Sequence, residues 1–182
     1  MTAEEFLALP ERPEGLRQLD LVDGEVVVSE PRWRHNIVQG SVLFALQSWT
    51  RAAPGRGSPG LPLDVRLDDR NVFEPDLVWY AEGREPGLDQ FPSPLPDLAI
   101  EIRSPSTWVY DIGAKRTTYE QHGLPELWLA DTLSAQILVF RRSTPPTPRF
   151  DVALELGIGD TLTSPRMPGF ALALDGLFPD PA

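Results

Sequence analysis

The segment PDLAIEIRSPSTWVYDIGAK (96–115) holds the side chains best suited to chemistry. In a strand over DLAIEIR, Leu98, Ile100 and Ile102 point to one face. Asp97, Ala99, Glu101 and Arg103 point to the other. In EPDLVWY, Asp76 shares parity with Val78 and Tyr80, so a carboxylate stands beside apolar neighbours. Taken singly, each acid is more often a solvated or salt-bridged residue, and DLAIEIR more often an edge strand with one wet face. Taken together, two acids near the ends of adjacent strands can converge on one hard cation. Magnesium takes oxygen ligands and keeps several waters, so one or two carboxylates suffice. Such an ion polarises a phosphodiester and lowers the pKa of a bound water.

Lys115 is the only lysine in a chain whose other cationic side chains are arginine. An ammonium is a compact point charge that a guanidinium does not replace. Near the two acids it would orient a water or stabilise developing charge. The plainer reading is chance survival in an arginine-biased sequence. Asp111 and Lys115 are four apart and share a helix face. That face meets the end of the Glu101 strand if residues 104–111 fold back.

Several elements have to position these groups. LRQLDLVDGEVVVSE reads as a hairpin around Asp23-Gly24. In PRWRHNIVQGSVLFALQSWTRAA, the residues Ile37, Val38, Val42, Ala45, Leu46 and Trp49 recur at helical spacing, which predicts the long helix. PGRGSPGLP reads as the loop that ends it. PLDVRLDD and EPDLVWYAE read as strands, and residues 83 to 96 as an irregular loop. A second helix follows, with Asp111 as its expected cap, Gly123 at its C-terminal turn and Pro125 beyond. ELWLAD and AQILVFRR read as two strands joined by a short turn. TPPTP is a linker, and FDVALEL and GDTLTSPRMPGFALAL give short strands. The order implies a mixed α/β (α+β) fold, residues 1–182 forming one domain.

Composition narrows the function classes. With 182 residues and 41% hydrophobic content, the chain can bury one sizeable core. No apolar run is long enough to span a membrane. The start, MTAEEFLALPERP, reads as a helix with a Thr2–Glu5 capping box rather than a signal peptide. The absence of cysteine excludes disulfides and thiolate metal sites, and two histidines make a multi-histidine zinc site improbable. A cytoplasmic protein is expected. The net charge of −11 argues against a broadly basic nucleic-acid binder, but a nuclease needs carboxylates and only a local basic patch.

At these residues the chain resembles the Uma-two family of bacterial restriction-endonuclease-like proteins. Its signature has the form P-D-L-x-x-E-x-x-S-P-S-T, then D, K and Y, then G-x-x-E-x-W-x-x-D. The stretch from Pro96 to Asp131 is similar to it, with Glu101, Asp111, Lys115 and Tyr119 at the chemical positions. LVDGE (21–25), RHNIV (34–38), PLDVRL (62–67), PDLVWY (75–80) and the closing SPRMPGFALAL extend the likeness over about residues 16 to 178. The resemblance implies the PD-(D/E)XK nuclease fold, a restriction-endonuclease-like central mixed sheet flanked by helices. It implies phosphodiester hydrolysis in DNA with Mg2+ or Mn2+. Asp76 would be the first metal-ligand aspartate and Glu101 the second. The usual lysine position, two after the glutamate, is here Arg103, and Lys115 on the following helix would take the lysine's role. A homodimer is expected from the need to cut two strands.

Other residues carry two readings each. Glu25 either enters the metal shell from the hairpin or is a plain turn residue. His35, opening the long helix, either meets a phosphate or caps and packs. Tyr119, one turn beyond Lys115, either fixes the lysine or is a core tyrosine. Trp79 and Trp128 read as core. Arg32, Arg34, Arg51, Arg56, Arg141 and Arg142 are candidates for a DNA surface. Two alternatives to the nuclease stand: a binding or regulatory module on a nuclease scaffold without catalysis, and a small-molecule enzyme using the same acids in an apolar pocket.

Overall fold

The computed structural model describes residues 1–9, 18–145 and 147–179. The central element is a six-stranded mixed sheet in the order β10-β9-β8-β7-β6-β3. Its strands are β3 (Ser58–Gly60), β6 (Leu77–Tyr80), β7 (Leu98–Ile102), β8 (Glu126–Asp131), β9 (Gln136–Arg141) and β10 (Val152–Leu156). Only β7 and β8 run parallel. That pair needs a crossover, and residues 103–125 supply it.

DLAIEIR is thus a central strand, and every residue of β7 is buried. The plain reading of an edge strand with one wet face does not hold. The alternation survives nonetheless, because the two faces meet different layers. Leu98, Ile100 and Ile102 pack in the larger core with Val38, Val42, Leu46 and Trp49 of α2 (Trp33–Arg51). The hairpin of β11 (Thr161–Ser164) and β12 (Met167–Ala173) closes that side through Leu162, Met167 and Phe170. On the opposite face Ala99 packs with Val22, Phe73, Tyr119 and Leu127.

A second sheet lies on this opposite face, in the order β2-β1-β5-β4. It comprises β1 (Leu19–Val22), β2 (Glu25–Val28), β4 (Val65–Arg66) and β5 (Val72–Phe73). The β1–β2 hairpin turns at Asp23-Gly24, both with positive φ (51° and 84°). That is the geometry a two-residue turn of this composition favours. At the start, α1 (Ala3–Leu7) carries the predicted capping box: Glu5 N donates to Thr2 Oγ1, and Thr2 N donates to Glu5 Oε2.

The sequence reading missed two short strands. β3 falls in the expected loop after α2, where Pro59 between Gly57 and Gly60 conceals it. Pro59 is tolerated because β3 is the sheet's edge and pairs only with β6. β5 is two residues long and held by partners on both sides. Among the described residues, no helix is long and apolar enough to cross a membrane.

The crossover helix also differs from expectation. It begins at α3 (Trp108–Tyr110), passes through a π-helical turn (Asp111–Lys115) and continues as α4 (Arg116–Gln121). Asp111 is therefore not its N-terminal cap but lies inside it, buried. In a regular α-helix, residues four apart drift by about 40°. The wider i→i+5 turn takes up that drift, so Asp111, Lys115 and Tyr119 all face the sheet. Gly123, with φ of 83°, ends the helix where the sequence places the stop.

Candidate active site

The site grows from the ends of β6 and β7. These strands pair antiparallel, with Leu77 opposite Ile100. One step further along that register sets Asp76 across from Glu101, on the same face. Asp76 is anchored by the backbone: Ile102 N donates to its Oδ2 at 2.6 Å. Both acids are 2–3% exposed.

Lys115 reaches Glu101 from the π-helical turn, with Nζ 2.8 Å from Oε1. The same ammonium lies 3.1 Å from Asp20 Oδ2 and 3.3 Å from Asp111 Oδ1. Tyr119 OH donates to Glu101 Oε1 at 2.9 Å, and its ring meets Phe73 edge-on. Asp111 Oδ2 accepts from Thr107 Oγ1, which in turn bonds Ser104 Oγ at 2.8 Å. The SPST run therefore has a mechanical role. Ser104 also bonds Ser29, and Ser106 accepts from Glu30 N, so the loop after β7 is tied to the end of β2.

Asp20 is the site residue that sequence reasoning missed. It sits on β1, and its Oδ1 accepts from Glu74 N at 2.8 Å. Its signal was a lone acid between Leu19 and Leu21 in a strand-like run. Glu25, chosen from the same hairpin, is exposed on β2, and no hydrogen bond or ion pair joins it to the cluster among the described residues.

His35, in the first turn of α2, is buried against Asp76, with Nε2 3.0 Å from Oδ1. The pair is in ion-pair range but lacks hydrogen-bond alignment, which leaves both ring nitrogens without a hydrogen-bond partner. Arg103 turns away from Glu101. Its Nη1 grips both oxygens of Asp131, and its guanidinium stacks over Trp108. Asp97 is likewise outside the cluster. At the other end of β7 it accepts from Ala81 N, Arg84 and Arg166.

The electrostatics follow from enclosing so many charges. Burial pushes the Glu101 carboxyl well above its ordinary range; Lys115 pulls it back, while Asp111, Asp20 and Asp76 add to the rise. Asp111 is pushed up to about 6, first by burial and then by Asp20 and Asp76, against the pull of Lys115. Burial would lower the Lys115 value, but Asp20, Glu101 and Asp111 outweigh it and hold the ammonium well above its usual range. Burial and the Glu101 charge raise the Tyr119 phenol likewise. For His35, burial lowers the value, yet Asp76 prevails and the net shift is upward.

The donor set suits a hard cation. Four buried carboxylates (Asp20, Asp76, Glu101, Asp111) stand against one ammonium and one imidazole. Glu101 Oε2 carries no protein hydrogen bond among the described residues, and Asp76 Oδ1 meets only His35. Among those residues, no three His, Asp or Glu side chains are grouped to hold a metal by themselves. An ion here would rest on one or two carboxylates and water, which is how magnesium is commonly held.

The fold matches a solved structure titled as a "putative nuclease belonging to DUF820" from Anabaena variabilis ATCC 29413. The TM-score is 0.79 at 19% identity, over 98% of this chain and 97% of that one. No curated protein matches the chain. Residues 3–175, nearly the whole length, match the Uma2 family, described as "Putative restriction endonuclease", and the chain belongs to that family.

Proposed function

We propose that the protein is a metal-dependent DNA endonuclease that hydrolyses phosphodiester bonds at the ends of β6 and β7. One observation carries this reading: two buried carboxylates, Asp76 and Glu101, face each other across adjacent strands with the Lys115 ammonium 2.8 Å from one of them. Membership of the Uma2 family, described as "Putative restriction endonuclease", supports it. Asp76 and Glu101 would hold Mg2+ or Mn2+, which when bound supplies Lewis-acid polarisation of the phosphate and an acidified water.

The chain's own contribution is positioning and charge. Ile102 N and the β6–β7 pairing fix Asp76. Tyr119 and Lys115 fix Glu101. Because its neighbours keep Lys115 protonated, its role is to stabilise negative charge on the phosphate, not to remove a proton from water. Asp20 and Asp111 hold that ammonium in place. Cutting both strands would take two copies acting together.

A second reading is a nuclease-fold binding module without catalysis. It is favoured by the enclosure of Lys115, which is 1% exposed and already surrounded by three carboxylates.

Cleavage of supercoiled plasmid with magnesium or manganese separates the two. Glu101→Gln and Asp76→Asn keep side-chain volume and are the variants of choice. Nicking or linearisation by the wild type, lost in both folded variants, supports the nuclease. An inert wild type with either metal supports the binding module.

A further inference from the structure

Beside the acid cluster lies a cleft of about 430 Å³, lined by Arg32, Arg34, His35, Arg103, Thr132 and Leu133. It opens at the first turn of α2 and at the residue following β7. His35 is the wall it shares with the cluster, since the same ring lies against Asp76. Among the described residues no carboxylate lines the cleft, in a chain whose net charge is −11.

The guanidinium donors here are largely unspent. Among the described residues the Arg32 guanidinium makes no hydrogen bond or ion pair, and the Arg34 guanidinium makes one, from Nη1 to Thr132 O at 3.3 Å. Arg103 uses Nη1 on Asp131, and among the described residues its Nε and Nη2 have no protein acceptor. His35 is 3% exposed; its Nε2 lies 3.0 Å from Asp76 Oδ1, and among the described residues neither ring nitrogen has an aligned hydrogen-bond partner. Guanidiniums present forked donors matched to phosphate oxygens. Trp33, between Arg32 and Arg34 in sequence, is 76% exposed. An exposed aromatic among arginines suits a base as well as a backbone.

We infer that this cleft is the phosphate seat of the DNA strand, holding a backbone phosphate next to the one that is cut. Arg32, Arg34 and Arg103 bind it, and His35 forms the wall between that seat and Asp76. This rests on the nuclease reading for its substrate, but its test does not depend on cleavage.

The test measures binding of a short fluorescent DNA duplex by anisotropy over a range of salt concentrations. The Glu101→Gln background keeps the duplex intact. The variants are the double substitution Arg32→Ala with Arg34→Ala, and Arg32→Glu alone. Arg32 is exposed, and its side chain has no partner among the described residues, so its replacement leaves the fold in place. The double variant is expected to bind roughly tenfold more weakly, with the slope of log K against log salt reduced by about 2. Arg32→Glu is expected to weaken binding further than removal of that single charge accounts for.

Unchanged affinity and slope in both variants would overturn the inference, as would absence of duplex binding by the parent protein. If the variants bind normally while wild type cuts plasmid, the cleft assignment fails and the nuclease reading stands. If binding is lost as expected while wild type never cuts, the seat stands and the catalytic reading fails.

Discussion

Lys115 Nζ and Glu101 Oε1 lie 2.8 Å apart, and neither side chain is more than 3% exposed. A contact of this kind is an obligation on the fold as well as a chemical resource. Removing one partner of a buried ion pair leaves the other charge uncompensated and costs about 3–5 kcal/mol. Lys115 answers to three carboxylates, so Lys115→Ala should fall at the upper end of that range or prevent folding. Urea denaturation checks this. Loss of cleavage by this variant counts as catalytic evidence only if its circular dichroism remains native, which is why Glu101→Gln is the cleaner probe.

Asp111 gives the cluster a pH signature. Its carboxyl is pushed from 3.8 to about 6 in the folded protein, chiefly by burial. The native state therefore holds this proton more tightly than the unfolded chain does. Stability from this group is full below pH 3.8 and is lost as pH rises through about 6. Asp111→Asn stays neutral and removes the dependence. Relative to wild type, the variant should gain on the order of 3 kcal/mol between the acid and neutral ends of that window. The pull of Lys115 on the ionised carboxylate is already contained in that shift, and exchanging a neutral acid for an amide adds only a pH-independent offset, so the slope is the diagnostic. Urea unfolding at a series of pH values measures it, and a difference that is flat with pH refutes it.

Metal binding should be visible without DNA. An ion that binds the folded state alone stabilises it by mass action. Magnesium well above its dissociation constant is expected to raise the melting temperature of wild type by roughly 5 °C. Glu101→Gln and Asp76→Asn should show no rise, and chelation should reverse it. A shift that persists in both variants would place the ion elsewhere.

Tyr119→Phe isolates the hydrogen bond on Glu101. The ring keeps its edge contact with Phe73, while the Glu101 oxygen retains Lys115. A stability loss of about 1 kcal/mol is expected. If cleavage is established, kcat should fall while KM holds, because the phenol acts through the carboxylate it positions.

Asp20→Asn tests the residue found only in the folded chain. Its Oδ1 still accepts from Glu74 N, but one charge is lost from around Lys115. The expected cost is about 1–3 kcal/mol by denaturation. A neutral result would show that Glu101 and Asp111 suffice to hold the ammonium.

The sequence by itself determined what local spacing controls. A period of two set Glu101 on the opposite face of its strand from Leu98, Ile100 and Ile102. A separation of four set Asp111 beside Lys115, and Asp-Gly set the hairpin. The lone lysine stood between a chemical role and chance survival, and the signature from Pro96 to Asp131 carried the family likeness. Tertiary structure decided everything that depends on which strands become neighbours. Asp20 meets Lys115 across 95 positions of chain, and no periodicity reports such a distance. Strand order also buried β7 on both faces, seated His35 against Asp76 and turned Arg103 toward Asp131. It left Glu25 in solvent, although Glu25 shares a hairpin with Asp20. The π-helical turn belongs to the same class: it answers to three side chains that have to reach one sheet, and its reason appears only once the sheet is there.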